Sequence, residues 1–212
     1  MTVPFHDFYT EILEGYHGAK VRNEPGCRPR GTFTRAKPGS LKWVFVLQNP
    51  GDPVLKEKSL EAGATPRQLV ERLWKLSGEI LERDNPFSNT LSTARIEACR
   101  LCRLSPLELT QQVIFTNMVR CTTFKKAGKE AEKPNAEAIE LGANWLKREI
   151  AFWQPQIIIA YGSVARDGMA KYDIPFDDDL PHPTAQGIWL NQNLRRQRIE
   201  EVREGLRILK KL

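Results

Sequence analysis

The chain has only three histidines, His6, His17 and His182, and only four cysteines, Cys27, Cys99, Cys102 and Cys121, in 212 residues. So few cysteines, with no sign of a secretion signal, argue against a disulfide framework. No apolar run approaches the length needed to cross a bilayer. Residues 1–16 have no basic start and no continuous apolar stretch, so a cytoplasmic protein is expected. No strand runs into a G-x-G-x-x-G or G-x-x-x-x-G-K-[ST] loop, which speaks against a phosphate-cradling nucleotide enzyme. No internal repeat is visible.

What is present is an ordinary globular composition with a net charge of +6. That is a mild lean toward polyanions. Basic residues gather in Lys20–Arg35, in Arg120–Lys129, and in a last segment with Arg195, Arg196, Arg198, Arg203, Arg207, Lys210 and Lys211.

Phe5, Phe8, Ile12 and Leu13 have helical spacing, and a basic loop runs on to residue 41. WVFVL at 43–47 reads as a strand buried on both faces. It breaks off in the turn Gln48-Asn49-Pro50-Gly51-Asp52-Pro53. Thr65-Pro66 supplies a cap and a first-turn proline for a helix stopped by Asn85-Pro86. A further helix is predicted over Leu91–Arg103, and a strand over Gln112–Asn117. A helix follows over Asn135–Trp153, then a strand over Gln156–Tyr161, then a helix from Gly162 to about Lys171. A short strand near Ile174–Leu180 and a basic helix over Leu194–Leu212 complete the pattern. Helices alternating with apolar strands predict a three-layer α/β/α sandwich with a central, mainly parallel sheet of about four strands. Residues 1–212 are expected to form one domain, with 1–41 as its N-terminal helix and basic loop. Ligands of such sheets sit at the strands' carboxyl ends. The segments placed there are Gln48–Asp52, Asn117–Arg120 and His182–Thr184.

The polar motifs are LQNPGD at 47–52, FTNMVRC at 115–121, IIIAYGSVA at 157–165 and PHPT at 181–184. In this order, each at a predicted strand end, they resemble the uracil-DNA glycosylase superfamily. Asn-Pro-Gly is similar to the mismatch-specific and single-strand-selective branches. Asn-x-Val-x-Cys is more like the iron–sulfur branches, so no branch is assigned.

The resemblance implies a monofunctional DNA glycosylase that flips a base from DNA, hydrolyses its N-glycosidic bond and releases the free base, in base excision repair. No lysine stands in the motifs to form a Schiff base. Asn49 corresponds to the water-positioning residue, and its amide can accept a hydrogen bond but is a poor base. His182 corresponds to the donor that meets the charge developing on the base, worth ~2.7–4 kcal/mol in such sites. Gln48, Gly51, Phe87 and Asn117 would form the base pocket. Asn117 complements the donor and acceptor edge of uracil. Phe87 would stack on the base, and Gly51 leaves room for 5-substituents. Thr184, Gln186, Ile188 and Trp189 would meet DNA, with Ile188, Trp189 or Leu190 as the apolar wedge. Arg195, Arg196 and Arg198 would contact phosphates. The expected protein is a monomer.

Two features sit awkwardly with this. Asp177, Asp178 and Asp179 precede PHPT and point to a metal or a different partner. LQNPG contains no acidic residue. Both favour an alternative, a non-catalytic member of the same fold that binds DNA or a modified nucleotide. In the iron–sulfur branches a C-x-x-C precedes the first strand, one cysteine follows Asn-x-x-x, and a further cysteine lies on the helix that here carries Leu141-Gly142. Cys121 matches that pattern, whereas Cys99 and Cys102 lie after the first motif. A zinc or iron–sulfur site on Cys27, Cys99, Cys102 and Cys121 is chemically conceivable, but no cofactor is expected.

Overall fold

The computed structural model describes residues 5–16, 32, 34–37, 39–48, 63–82, 89–120 and 134–212. The sheet is built from β1 (Trp43–Leu47), β2 (Val113–Asn117), β3 (Ile157–Tyr161) and β4 (Asp178–Leu180). Their spatial order is β2-β1-β3-β4. Every pairing is parallel, with Trp43 opposite Val113 and Ile157, and Ile159 opposite Asp178. Seven α-helices flank them among the described residues: α1 (Phe5–Tyr16), α2 (Pro66–Glu82), α3 (Asn89–Cys102), α4 (Pro106–Gln112), α5 (Ala136–Trp153), α6 (Gly162–Lys171) and α7 (Gln192–Ile208). The predicted three-layer α/β/α architecture is present.

Side chains alternate across each strand, so the sheet makes two cores. Val44, Val46, Ile114, Ile158 and Ala160 pack beneath α1, α5 and α6. Trp43, Phe45, Phe115, Ile159 and Tyr161 pack beneath α3, α4 and α7. Helix α2 feeds both, through Val70 on one side and Leu76, Ile80 and Leu81 on the other.

The three apolar strands fall where their sequences predict. The fourth is shorter than expected and starts at Asp178. Helix α4 is an addition to the sequence-based pattern. Its start is fully specified, because Ser105 caps it, Pro106 occupies the first turn and Glu108 closes a capping box. Helix α5 begins at the Asn135 cap and ends at Gln154 in the left-handed conformation, just before Pro155.

The first core also holds a buried ionic cluster. Arg120 and Glu149 are each 1% exposed and form a salt bridge. Glu149 also accepts from Tyr9 Oη at 2.5 Å and from Thr116 Oγ1 at 2.7 Å. Trp153 Nε1 donates to Tyr9 Oη at 2.9 Å. Burial, and then the neighbouring Glu149 carboxylate, push the Tyr9 phenol well above its usual pKa. It therefore stays a donor. The cluster ties α1 and α5 to the segment that leaves β2.

Candidate functional site

Parallel strands deliver all their carboxyl ends to one edge. From β1 the chain moves to β2 on one side, and from there to β3 on the other side of β1. That reversal makes a topological switch point between β1 and β3, where α/β sheets open a crevice.

Gln48 and Asn117 are brought together at this edge. Asn117 lies opposite Leu47 in register. The pairing runs past the strands, with Met118 N donating to Leu47 O at 2.7 Å and Val119 N to Gln48 O at 2.9 Å. Asn117 is 4% exposed. Alternation along β2 places it on the same sheet face as Val113 and Phe115, the face covered by α3 and α7. Asn49, Gly51 and Phe87 lie outside the described residues.

His182 follows β4 by two residues and folds back over the end of β3. There Gly162 has φ +81°, and a Cβ on it would stand 2.9 Å from the His182 Cβ. The imidazole is held from its own loop. Thr184 N–H approaches Nδ1 at 3.3 Å, and Thr184 Oγ1 lies 3.1 Å from the same atom. A backbone N–H can only donate, so Nδ1 is the acceptor. The neutral ring then carries its proton on Nε2. Burial, and then the positive charge of Arg195, lower the His182 pKa and favour this neutral form.

Beyond His182 the chain makes a 3-10 turn over Gly187–Leu190. Ile188 and Leu190 are exposed at 68% and 64%, Thr184 and Gln186 are exposed, and Trp189 is half-buried.

The basic last helix departs from expectation. Arg195 is not a surface phosphate ligand. It is 3% exposed, and its Nε bonds Glu97 at 2.6 Å. Arg198 Nη2 bonds Asp178 at 2.5 Å and the Asp179 carbonyl at 2.9 Å. Arg203 donates to Leu101 O at 3.0 Å. Arg196 remains exposed. The spacing of Arg195, Ile199, Val202 and Leu206 carries the explanation. These four are the buried residues of α7, so Arg195 lies on the helix's inward stripe.

The same contacts account for the aspartates. Asp177 accepts the Ile158 N–H at 2.8 Å and pairs with Lys211. Asp178 is held by Arg198. Asp179 lies 3.7 Å from Arg198 and 3.8 Å from Arg166. They fasten an edge strand to the helices beside it and need no metal or second partner to explain them.

Among the described residues no group of three or more His, Cys, Asp or Glu side chains is placed to hold a metal ion. Cys27 and Cys121 lie outside those residues. Cys99 and Cys102 pack against the core beneath α3, where burial pushes both thiols up in pKa. Arg120, next to Cys121 in sequence, reaches the opposite core. A Cβ on Gly142 would fall 1.9 Å from the Met118 carbonyl oxygen. Position 142 is thus closed to any side chain, whereas Leu141 beside it carries one that packs against the first core.

The sequence reading passes over Gly162, Glu97 and Glu149. Glu149 carries a legible signal, because it recurs in helical step with buried Ala138, Gly142, Leu146 and Trp153.

Fold and edge together define a doubly wound α/β protein whose polar site sits at the carboxyl ends of its strands. The family model of the Uracil DNA glycosylase superfamily matches residues 33–210, and the chain belongs to that superfamily. Members of this superfamily are in general DNA glycosylases. No curated protein matches the chain. No described helix is long and apolar enough to cross a membrane.

Proposed function

We propose that the protein is a monofunctional glycosylase that hydrolyses the N-glycosidic bond of uracil or a related damaged base in DNA. One observation carries the reading. His182 is a half-buried imidazole whose Nδ1 faces the Thr184 N–H, which leaves Nε2–H as a neutral donor beside the switch point.

The reaction breaks the bond between the base nitrogen and C1′ of the sugar. The bonding electrons leave with the base, and positive charge grows on the sugar. A donor aimed at a base oxygen is worth most at that moment. His182 takes this role and keeps its proton throughout. Asn49 places the water that adds to C1′, and the proton this water sheds passes to solvent. Asn117 reads the base edge, with Gln48, Gly51 and Phe87 completing the pocket. The turn at Gly187–Leu190 enters the stack in place of the departed base. Thr184, Gln186 and Arg196 meet the DNA backbone. The protein acts as one domain over residues 1–212, as a monomer, in the cytoplasm.

The alternative, binding without catalysis, loses one of its two supports. The aspartates that favoured it are occupied by Arg198 and Lys211. The test is a panel of labelled oligonucleotides carrying uracil, hypoxanthine, xanthine and 5-substituted uracils, single-stranded and mismatched. Release of free base from any of them supports the enzyme. Tight binding to a stable abasic-site DNA with no release from the panel replaces it with the non-catalytic reading.

A further inference from the structure

A single guanidinium joins the two ends of the loop after β4. Arg195 lies in the first turn of α7. Its Nη1 and Nη2 donate to the His182 carbonyl at 3.2 and 3.3 Å. Nη1 also reaches the Trp189 carbonyl at 3.4 Å, and Nη2 the Pro181 carbonyl at 3.5 Å. Nε holds Glu97 of α3 at 2.6 Å. We propose that Arg195, anchored by Glu97, is the positioning residue that locks His182 and the 188–190 turn into one rigid unit. Entry of the turn into DNA and delivery of His182 to the base then become one movement. The proposal rests on the glycosylase reading for its purpose, and on geometry alone for its existence.

Three arguments support it. The first is shape. A planar fork with five donors can satisfy a carboxylate and several carbonyls at once, whereas a lysine ammonium on a flexible stem cannot hold that spread. The second is cost. Burying an ion pair rarely stabilises a fold beyond what apolar residues of equal volume would do. A costly pair retained on the inward stripe of α7 is better explained by the loop geometry it specifies than by stability. The third is supply. The carbonyls of Pro181, His182 and Trp189 belong to no strand or α-helix, and partly buried backbone oxygens are left short of donors by the loop itself. The Ala185 N–H reaches one of them, the His182 oxygen, at 2.8 Å, and Arg195 bonds all three.

The charged and titratable groups beside His182 are Arg195 from α7 and, behind it, Glu97 from α3 with the Tyr161 phenol of β3 against it. Removing the guanidinium therefore loosens the loop and also lifts the cationic field from the imidazole.

The experiment uses the full chain without DNA. Amide hydrogen exchange is compared in the parent, in Arg195→Lys, and in the double variant Glu97→Leu with Arg195→Met, which replaces the pair by apolar side chains. In both variants, exchange across residues 182–190 rises at least tenfold and by a similar factor at the two ends of the loop. Amides of β1, β2 and β3 are unchanged. In the double variant the His182 titration also moves up toward the ordinary imidazole range. Three outcomes overturn the proposal: unchanged loop exchange, release confined to one end, or opening of the sheet together with the loop in both variants, which would make Arg195 a residue of the fold and not a clamp. These readouts do not depend on catalysis. Loop release in a protein that frees no base sinks the glycosylase reading and leaves the clamp standing. Base release by the parent without loop release in the variants does the reverse.

Discussion

Gly162 and His182 share a space that admits only one Cβ. Gly162 sits at φ +81°, and a methyl group there would lie 2.9 Å from the His182 Cβ. The glycine that starts α6 thereby sets where the histidine loop rests on the sheet. Gly162→Ala combines left-handed strain of about 1–2 kcal/mol with displacement of His182. The expected result is a modest loss of unfolding free energy in urea and a single-turnover rate on uracil DNA at least tenfold lower. A variant that cleaved at the parental rate would show that the contact does not position the ring.

His182 makes stability depend on pH in a definite direction. Its folded pKa lies below the ordinary imidazole value, through burial first and Arg195 second. Below that ordinary value the unfolded chain takes up the proton before the folded one does. Stability is therefore fully present above the unfolded pKa and falls as pH drops toward the folded pKa. Thermal unfolding from about pH 7.5 to about pH 5 should decline more steeply in the parent than in His182→Gln. Equal slopes would mean that the ring does not titrate with a depressed pKa.

The apolar parts of the architecture were legible and the ionic parts were not. Trp43–Leu47, Val113–Asn117 and Ile157–Tyr161 are buried along their whole length, and continuous apolar runs announce such strands. β4 is Asp-Asp-Leu and half-buried. Its existence was legible but its bounds were not, because its acidic side chains are answered by Arg198, and no local pattern names a partner twenty residues away. The inward place of Arg195 does not show in a count of charges, because composition carries no direction. Its helical phase with Ile199, Val202 and Leu206 was available in the sequence and outweighs the count. The positions of Asn117 at the end of β2 and of His182 two residues past β4 were legible, since a parallel sheet delivers both segments to one edge.

The Arg120–Glu149 pair predicts a large and one-sided stability effect. Glu149→Ala strands a buried guanidinium and leaves the donors Tyr9 and Thr116 without their shared acceptor. Breaking one side of such a pair costs about 3–5 kcal/mol. Urea unfolding should show most of that loss, with an unchanged denaturant slope if the transition stays two-state. Glu11→Ala is the control, because it removes the exposed pair and leaves Arg148 over the Trp145 ring. The Arg148–Glu11 pair is exposed on both sides, and its loss should fall within about 1 kcal/mol.

Charge reversal along α7 should separate surface from scaffold. Arg196 is exposed, whereas Arg195 and Arg198 are engaged inward. Arg196→Glu should leave the melting temperature nearly unchanged, weaken DNA binding alike for all sequences, and reduce the salt slope by about one counterion. Arg198→Glu should act differently. It places a third carboxylate beside Asp178 and Asp179, so it should loosen β4 and lower stability first. Equal melting temperatures with equal losses of affinity in the two variants would return both residues to the DNA surface.

Asn117 and His182 should fail in different ways, because one reads the base and the other answers its developing charge. Asn117 is almost fully buried at the end of β2. There its amide would face donor and acceptor groups that exist on the base before any bond breaks. Its removal takes binding energy from ground state and transition state together, so the affinity for flipped-base DNA and the choice among bases fall in step. Each lost or unsatisfied polar contact is worth about 1–3 kcal/mol, so Asn117→Ala should bind tenfold or more weakly and discriminate less against cytosine. His182 contributes a bond that strengthens only as electrons move onto the base, so His182→Ala should leave affinity close to parental while the single-turnover rate drops about a hundredfold or more. Measured on one oligonucleotide panel, the two variants should therefore fall on different axes. If His182→Ala loses affinity and keeps its rate, while Asn117→Ala does the opposite, the two roles are exchanged and the proposed mechanism fails.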